Sequence, residues 1–406
     1  MTQVHDPTTS WESDFDILDP RYIADPASVW TLLRGSCPIA HTERRGSTWL
    51  PVEYDTIASI AHDIEHFSSR DIAVITPGRE TNPLATNLLE APPITSDPPI
   101  HPWARRLLLP AFGPSAIDRQ TPVARAIANE LIDGFVDRRR ADVAAEYAQH
   151  IPVRVIAQMI GVPLSDEATF TRWAVEVIQE GVSNLEGALD TIAEIIRYFK
   201  DHVAQRRAMA VDERPDDLIT LLLDSTDIDG NPLRDRHIIG SCFLLLLAGI
   251  DTTWSAIGSS LLHLATHPDD QQRLRDDPSL IGTAVEEVLR FYSPVTMARF
   301  VTDDIEVSGC PMKKGDKILM NFPGGNRDPK HFERPDEFVI DRAKNRHFAF
   351  GSGIHRCLGS NLARMEIRVA METFLERVPT FELADSAAVA WSGGQVRGPR
   401  RAPVRW

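Results

Sequence analysis

Near the C-terminus the chain reads FAFGSGIHRCLGSNLAR, Phe348 to Arg364. Cys357 follows Gly351, Gly353 and His355 and precedes Gly359. Leu358, Leu362, Met365 and Val369 then recur at helical spacing, which predicts a helix over 358–377 with the cysteine at its N-terminus. Free backbone N–H groups at such an end favour a thiolate over a thiol. Glycines on both sides of the sulfur suit a tight loop lying close to another body. The pattern describes a thiolate presented on a tight loop, fit to ligate a metal. Other readings of these residues stay open. One is a buried apolar cysteine. Another is a nucleophile served by His355, although two residues apart is poor geometry for that pair. A phosphate loop is the third, although neither G-x-G-x-x-G nor a P-loop Lys is there.

A second set lies in AGIDTT, Ala248 to Thr253. A mid-helix Thr can return its hydroxyl to a carbonyl one turn back. Asp251, in an otherwise apolar stretch, is costly unless paired or hydrated. The segment is either a buried helix with one satisfied polar turn or a groove where an acid and an alcohol relay protons. Glu287 and Arg290, three apart, have the spacing of a helical ion pair, and His101 and Arg105, four apart, share a helix face.

Phe350 to Gly359 resembles, at every defined position, the haem-binding loop of the cytochrome P450 family, F-G-x-G-x-[HR]-x-C-x-G. The resemblance implies a haem b whose iron is ligated by Cys357, with Phe350 and Gly359 against the macrocycle. Ala248–Thr253 is similar to the family's oxygen-activation motif, which implies that Thr252 orders water, that Asp251 helps deliver protons and that Ala248 faces both haem and substrate. DPPIHPWARR is similar to a segment that gives His101 and Arg105 to the haem propionates; Arg299 and His355 match two further contacts. Glu287 and Arg290 match a structural E-x-x-R pair that locks to Arg342. The resemblance extends to NRDP and LARME and covers nearly the whole chain. AGIDTTWSAIGSSLLHLATHP, SPVTMARF and WSGGQVRGPRR look closest to haem domains of forms fused to a flavin and iron–sulfur reductase.

What it implies is a haem-thiolate monooxygenase that inserts one oxygen atom of O2 into a C–H bond, giving hydroxylation or heteroatom dealkylation. Electrons would come from a ferredoxin and its reductase, or from a flavin–iron–sulfur reductase, fused or separate. Arg105, Arg106, Lys344, Arg346, Arg356 and Arg364 lie on segments that would flank the cysteine side and could steer such a partner; ordinary solvated arginines plus propionate contacts are the other reading. The cavity would be lined by the 70–96 loop, the region 170–195, Ala248, Val295, Met297 and the Gly393-Gly394 turn. No buried cation offers itself to anchor a carboxylate, so the substrate expected is small and fairly apolar, aromatic compounds included. A peroxide-driven haem enzyme and a non-catalytic haem-binding protein are the alternatives. The first usually lacks the acid–alcohol pair, and the second has no need of it.

Bulk properties agree. The chain has 406 residues and a net charge of −15, which argues against nucleic acid. Its four scattered cysteines lack a C-x-x-C and fit a reducing compartment. The polar N-terminus is no signal peptide, and the apolar run Ile238 to Ile250 is too short to span a bilayer, so a soluble, cytoplasmic protein is expected. Although the length exceeds the ~250–300 residues of most single cores, no linker divides it, and the resemblance implies one haem domain over 1–406.

The elements that must position these residues are mostly helical. Pro98-Pro99 opens a helix; helical patterns run to about Ala210, with breaks near Gly161 and Gly181. Arg236 to His267 is the longest, roughly thirty residues and about 45 Å. DIEVSG and DKILMNF read as short strands, 326–356 as turns, and the tail as a hairpin. The fold class is mainly α with a small β portion, and the resemblance implies a haem held between the long helix and the cysteine loop.

Overall fold

The computed structural model describes residues 8–44, 46–74, 90–181 and 183–406. Its spine is the helix Asp235–Thr266, 32 residues long. This helix is apolar nearly all round, the pattern of a helix buried in a large core. By length and composition it could cross a membrane, longer than the run read from the sequence, but 78% of its most apolar window is buried inside the protein. It is a core helix. Helices His150–Ile160, Leu185–Ala208, Ile281–Tyr292 and Ser360–Arg377 pack around it. Their shared core includes the fully buried Ile250, Ile257, Leu261, Val369 and Phe374.

The break at Gly161 is where the sequence places it. Gly161 has φ +91°, and a Cβ there would fall 2.0 Å from Asp217 Oδ2. Near Gly181 the chain leaves helix through a π-type turn over Val175–Gln179, closed by Glu180 N–H donating to Val175 O at 2.9 Å.

A five-stranded sheet runs Ile39–Thr42, Thr48–Pro51, Lys317–Met320, Met297–Val301, Phe67–Ser68. Met297 pairs with Met320 and Arg299 with Ile318. Alternate residues share a face, and Met297 and Arg299 both look into the central cavity.

The tail departs from a simple hairpin. Ala390–Trp391 pairs with Pro399–Arg401. The last strand, Pro403–Arg405, crosses instead to Arg140–Asp142 and Glu382–Leu383. Arg140–Asp142 lies within what the sequence pattern presents as continuous helix. Of the 70–96 loop, residues 75–89 fall outside the described residues.

Candidate active site

The cysteine loop turns on Gly351 and Gly353, at φ +68° and +70°. A Cβ on Gly353 would lie 2.3 Å from the Ala61 carbonyl oxygen. Cys357 N–H donates to Phe350 O at 2.7 Å, and the helix Ser360–Arg377 starts just beyond. Burial raises the Cys357 thiol pKa; the Gly359 N–H and the charges of Arg105, Arg356 and Arg364 oppose this without overcoming it. The helix end therefore helps the thiolate but does not secure it; a coordinated metal cation deprotonates a thiol outright. The accessible surface of Cys357 opens onto the cavity wall.

Behind the loop stands Glu287, with Arg290 beside it, both fully buried. Arg290 donates through Nε and Nη2 to the carboxylate, each at 2.8 Å. Arg342 Nε reaches it at 3.1 and 3.0 Å, Val339 N–H at 2.7 Å and Asn345 Nδ2 at 3.1 Å. Arg290 also donates to the carbonyls of Asn326, Pro335 and Glu337. The pair ties the turn-rich 326–345 stretch to the helix, with Arg342 in the position expected.

Cys357 lines a cavity of about 410 Å³ that also receives Phe350, Gly359, His355, His101, Arg105, Arg299, Ala248 and Thr252. The His101 and His355 rings meet at 4.2 Å between centroids, tilted by 58°. Burial lowers the pKa of both rings, His355 to about 2, with Arg299 adding to the effect there and Arg105 at His101. Arg299 is brought down to about 10 by burial. Neither His101 ring nitrogen has a hydrogen-bond partner among the described residues, nor has His355 Nε2. These donors, on one rim of the cavity that Cys357 lines, fit the haem expected from the resemblance: a flat, two-carboxylate macrocycle would give each of them an acceptor.

In the long helix, Thr252 Oγ1 donates to Ala248 O at 2.8 Å, the back-bond expected. Asp251 is fully buried. Its Oδ1 accepts from Gln179 Nε2 at 2.8 Å and lies 2.8 Å from Arg400 Nη2. Its Oδ2 has no partner among the described residues. Burial raises the Asp251 pKa, while Arg400 and Gln179 oppose the rise. Neither partner is visible in the sequence, which lacks any spacing signal linking 179, 251 and 400. Arg400 is thus a buried cation, but Asp251 occupies it.

Ile72, Ala73, Pro93, Ile94, Val177, Ile178, Leu185, Ala188, Ile192, Phe243, Leu244, Val295 and Met297 complete an almost wholly apolar wall. Gly394 is a correction. It turns the chain at φ +84°, and the residues after it, Gln395 and Val396, line the cavity instead. Val396 gets there by bridging to Val295. A second correction concerns Arg364, which Glu286 holds at 2.6 and 2.8 Å while it stacks over Phe350 at 4.4 Å. It is no free steering charge. Nor is Arg105, which faces the cavity; Arg106, Lys344, Arg346 and Arg356 are exposed.

A family model, Cytochrome P450, matches residues 168–385. The chain is 32% identical to Cytochrome P450 CYP107DY1 of Priestia megaterium, over 88% of this chain and 90% of that one. It is 31% identical to the Vitamin D(3) 25-hydroxylase of Pseudonocardia autotrophica over 98% of both. Among solved structures it superposes on the cytochrome P450 PksS of Bacillus subtilis with a TM-score of 0.86 at 30% identity, covering 96% of this chain and 99% of that one.

Proposed function

The chain belongs to the cytochrome P450 family, oxidoreductases that bind haem b through a cysteine thiolate to iron, and from that premise we propose a monooxygenase acting on a small, fairly apolar organic molecule. The observation that carries the reading is the meeting of Cys357, Thr252 and an apolar wall in one cavity, with Asp251 next in the helix to Thr252. Bound haem supplies the activation of O2 and transfer of one oxygen atom to a C–H bond, giving hydroxylation or heteroatom dealkylation.

The chain's own residues do the rest. Cys357 would hold the iron, and Phe350 and Gly359, which line the same cavity, would lie against the macrocycle. Arg105 and Arg299 would neutralise the propionates, and the neutral His101 and His355 rings would donate hydrogen bonds to them. Thr252 presents a hydroxyl at the cavity side of the helix, beside the accessible Ala248. Asp251, oriented by Gln179 and Arg400, stores and passes a proton to that side. Val177, Ile178, Val295 and Met297 exclude water and orient the substrate by shape. Electrons come from a ferredoxin and its reductase or a flavin–iron–sulfur reductase; the likeness to reductase-fused haem domains in AGIDTTWSAIGSSLLHLATHP, SPVTMARF and WSGGQVRGPRR belongs to this reading. The buried acid beside Thr252 favours an O2-dependent enzyme over a peroxide-driven one, and the apolar cavity favours catalysis over haem carriage.

The test is the absorption spectrum of the purified protein, reduced and exposed to carbon monoxide, then titrated with apolar compounds. A strongly red-shifted Soret band, lost in Cys357→His, supports the reading. A band at the His-ligated position in the parent protein overturns it.

A further inference from the structure

One wall of the cavity carries an amide that the proposed chemistry does not use. Away from the cysteine loop and the propionate groups, the polar side chains on the wall are Thr252, Thr253 and Gln395. Thr252 donates its hydroxyl hydrogen to Ala248 O, and Thr253 is buried. Gln395 is half-buried, and its hydrogen-bonding capacity is almost unused. Its Nε2 donates only to Met297 Sδ, at 3.5 Å, and its Oε1 has no partner among the described residues. A thioether sulfur is a weak acceptor, so this contact places the amide without satisfying it.

The backbone beneath the amide is fixed. Thr296 N–H donates to Gln395 O at 3.0 Å and Arg397 N–H to Pro294 O at 2.8 Å. Between them Val295 bridges to Val396. Arg397 is clamped in turn: its Nε donates to Ile23 O at 2.9 Å, and its guanidinium lies 4.1 Å from the Trp391 ring centroid. The amide, in contact with Met297, therefore sits on the sheet side of the cavity, whereas Ala248 and Thr252 belong to the long helix. A group held on a rigid frame loses less freedom when it binds a partner.

The charges of the cavity narrow what that partner is. Among the described residues no Asp or Glu lines it, so nothing there neutralises a bound ammonium group. Its two arginines, Arg105 and Arg299, are those that face the propionates of bound haem, and Arg400 is held by Asp251. A substrate carboxylate is left without a cation as well. A neutral amide compensates neither charge, but its N–H donates readily to a neutral oxygen. We propose that Gln395 is a specificity-determining residue whose Nε2 donates to a carbonyl oxygen of the substrate in place of the Met297 sulfur, so that the substrate class is an uncharged, mainly hydrocarbon molecule with one carbonyl group. The apolar wall encloses the hydrocarbon, and the amide fixes which end lies against the sheet. This rests on the monooxygenase reading; it adds the polar group that orients the substrate.

The test uses the haem-loaded protein and three aryl alkyl ketones, each paired with the hydrocarbon that has CH2 in place of C=O. Dissociation constants are read from the shift of the Soret band on binding, in the parent, Gln395→Met and Gln395→Leu. Carbon monoxide spectra check that each variant keeps its thiolate-ligated haem. The ratio of hydrocarbon Kd to ketone Kd should fall about three- to tenfold in Q395M and Q395L, the net worth of one neutral hydrogen bond. In infrared difference spectra the carbonyl stretch of the bound, isotope-labelled ketone should lie at lower frequency in the parent than in Q395M. Ratios and a stretch that Q395M leaves unchanged overturn the proposal and spare the monooxygenase reading. A parent that responds to neither member of any pair overturns the apolar-substrate reading and the proposal together. Should both variants lose haem, the parent's stretch decides: a frequency equal to that of the ketone in hydrocarbon solvent overturns the proposal.

Discussion

Glu287→Ala removes the one carboxylate that Arg290 and Arg342 share, and both guanidinium groups stay where protein encloses them. Five donor groups converge on Glu287: Arg290 Nε and Nη2, Arg342 Nε, the Val339 N–H and the Asn345 amide. Breaking a buried pair by taking away one partner costs about 3–5 kcal/mol, because the charge left behind is uncompensated. Unfolding entropy of about 2.1 cal/mol/K per residue over 406 residues gives roughly 0.85 kcal/mol per degree, so the midpoint should fall by roughly 4–6 °C. Glu287→Gln keeps the shape and loses the charge, and should lie between parent and alanine variant. Arg342→Ala should cost less than Glu287→Ala, since Arg290 still satisfies both carboxylate oxygens. Differential scanning calorimetry of the haem-loaded proteins reads the shifts. Absorbance followed in parallel should show haem released at lower temperature, because Arg290 also holds the carbonyls of Asn326, Pro335 and Glu337 behind the cysteine loop. A midpoint within about a degree of the parent for Glu287→Ala would refute the reasoning.

Glu366 is 1% exposed, its Oε1 has no partner among the described residues, and burial raises its pKa well above 4.5. Folded protein keeps this proton after the unfolded chain has lost it, so stability should fall as pH rises above 4.5 toward the folded pKa, by up to about 1.4 kcal/mol per pH unit. Urea midpoints across that window should flatten in Glu366→Gln; an unchanged slope refutes the assignment. Thr252→Ala should leave the carbon monoxide spectrum intact and lower product per reducing equivalent by about tenfold or more, and equal yield would exclude a role for the hydroxyl. Ala248→Leu should abolish spectral binding of larger ligands while a smaller one still binds, since Ala248 is exposed only within the cavity; uniform loss of both would mean the haem itself was displaced.

Much of the site was legible because its signals are local. The loop around Cys357, the Thr252 back-bond and the Glu287–Arg290 spacing each lie within about one or two turns of chain, where residue type and spacing carry geometry. Arg342 came only through the resemblance. What stayed hidden is long-range. Gln179 and Arg400 reach Asp251 across 72 and 149 positions, and the strand Arg140–Asp142 exists because Pro403–Arg405 pairs with it. Gly394 misled for a different reason: glycine marks the corner of a turn, and side chains that reach inward come from its neighbours. Arg364 misled because charge alone does not show whether a partner such as Glu286 has already taken it.

The π-type turn over Val175–Gln179 and the C-terminal segment around 395–400 each do two things. Val177 and Ile178 of the first, and Gln395 and Val396 of the second, form cavity wall. Gln179 and Arg400, a step or a strand away, grip Asp251. Whatever fills the cavity therefore presses on the two handles of its own acid. A guest that fits leaves both grips in place, whereas one that forces either wall outward loosens the carboxyl before any bond is touched. Recognition by size and command over the proton are read through the same few residues, and a variant chosen to widen the cavity at Val177 or Val396 alters both at once.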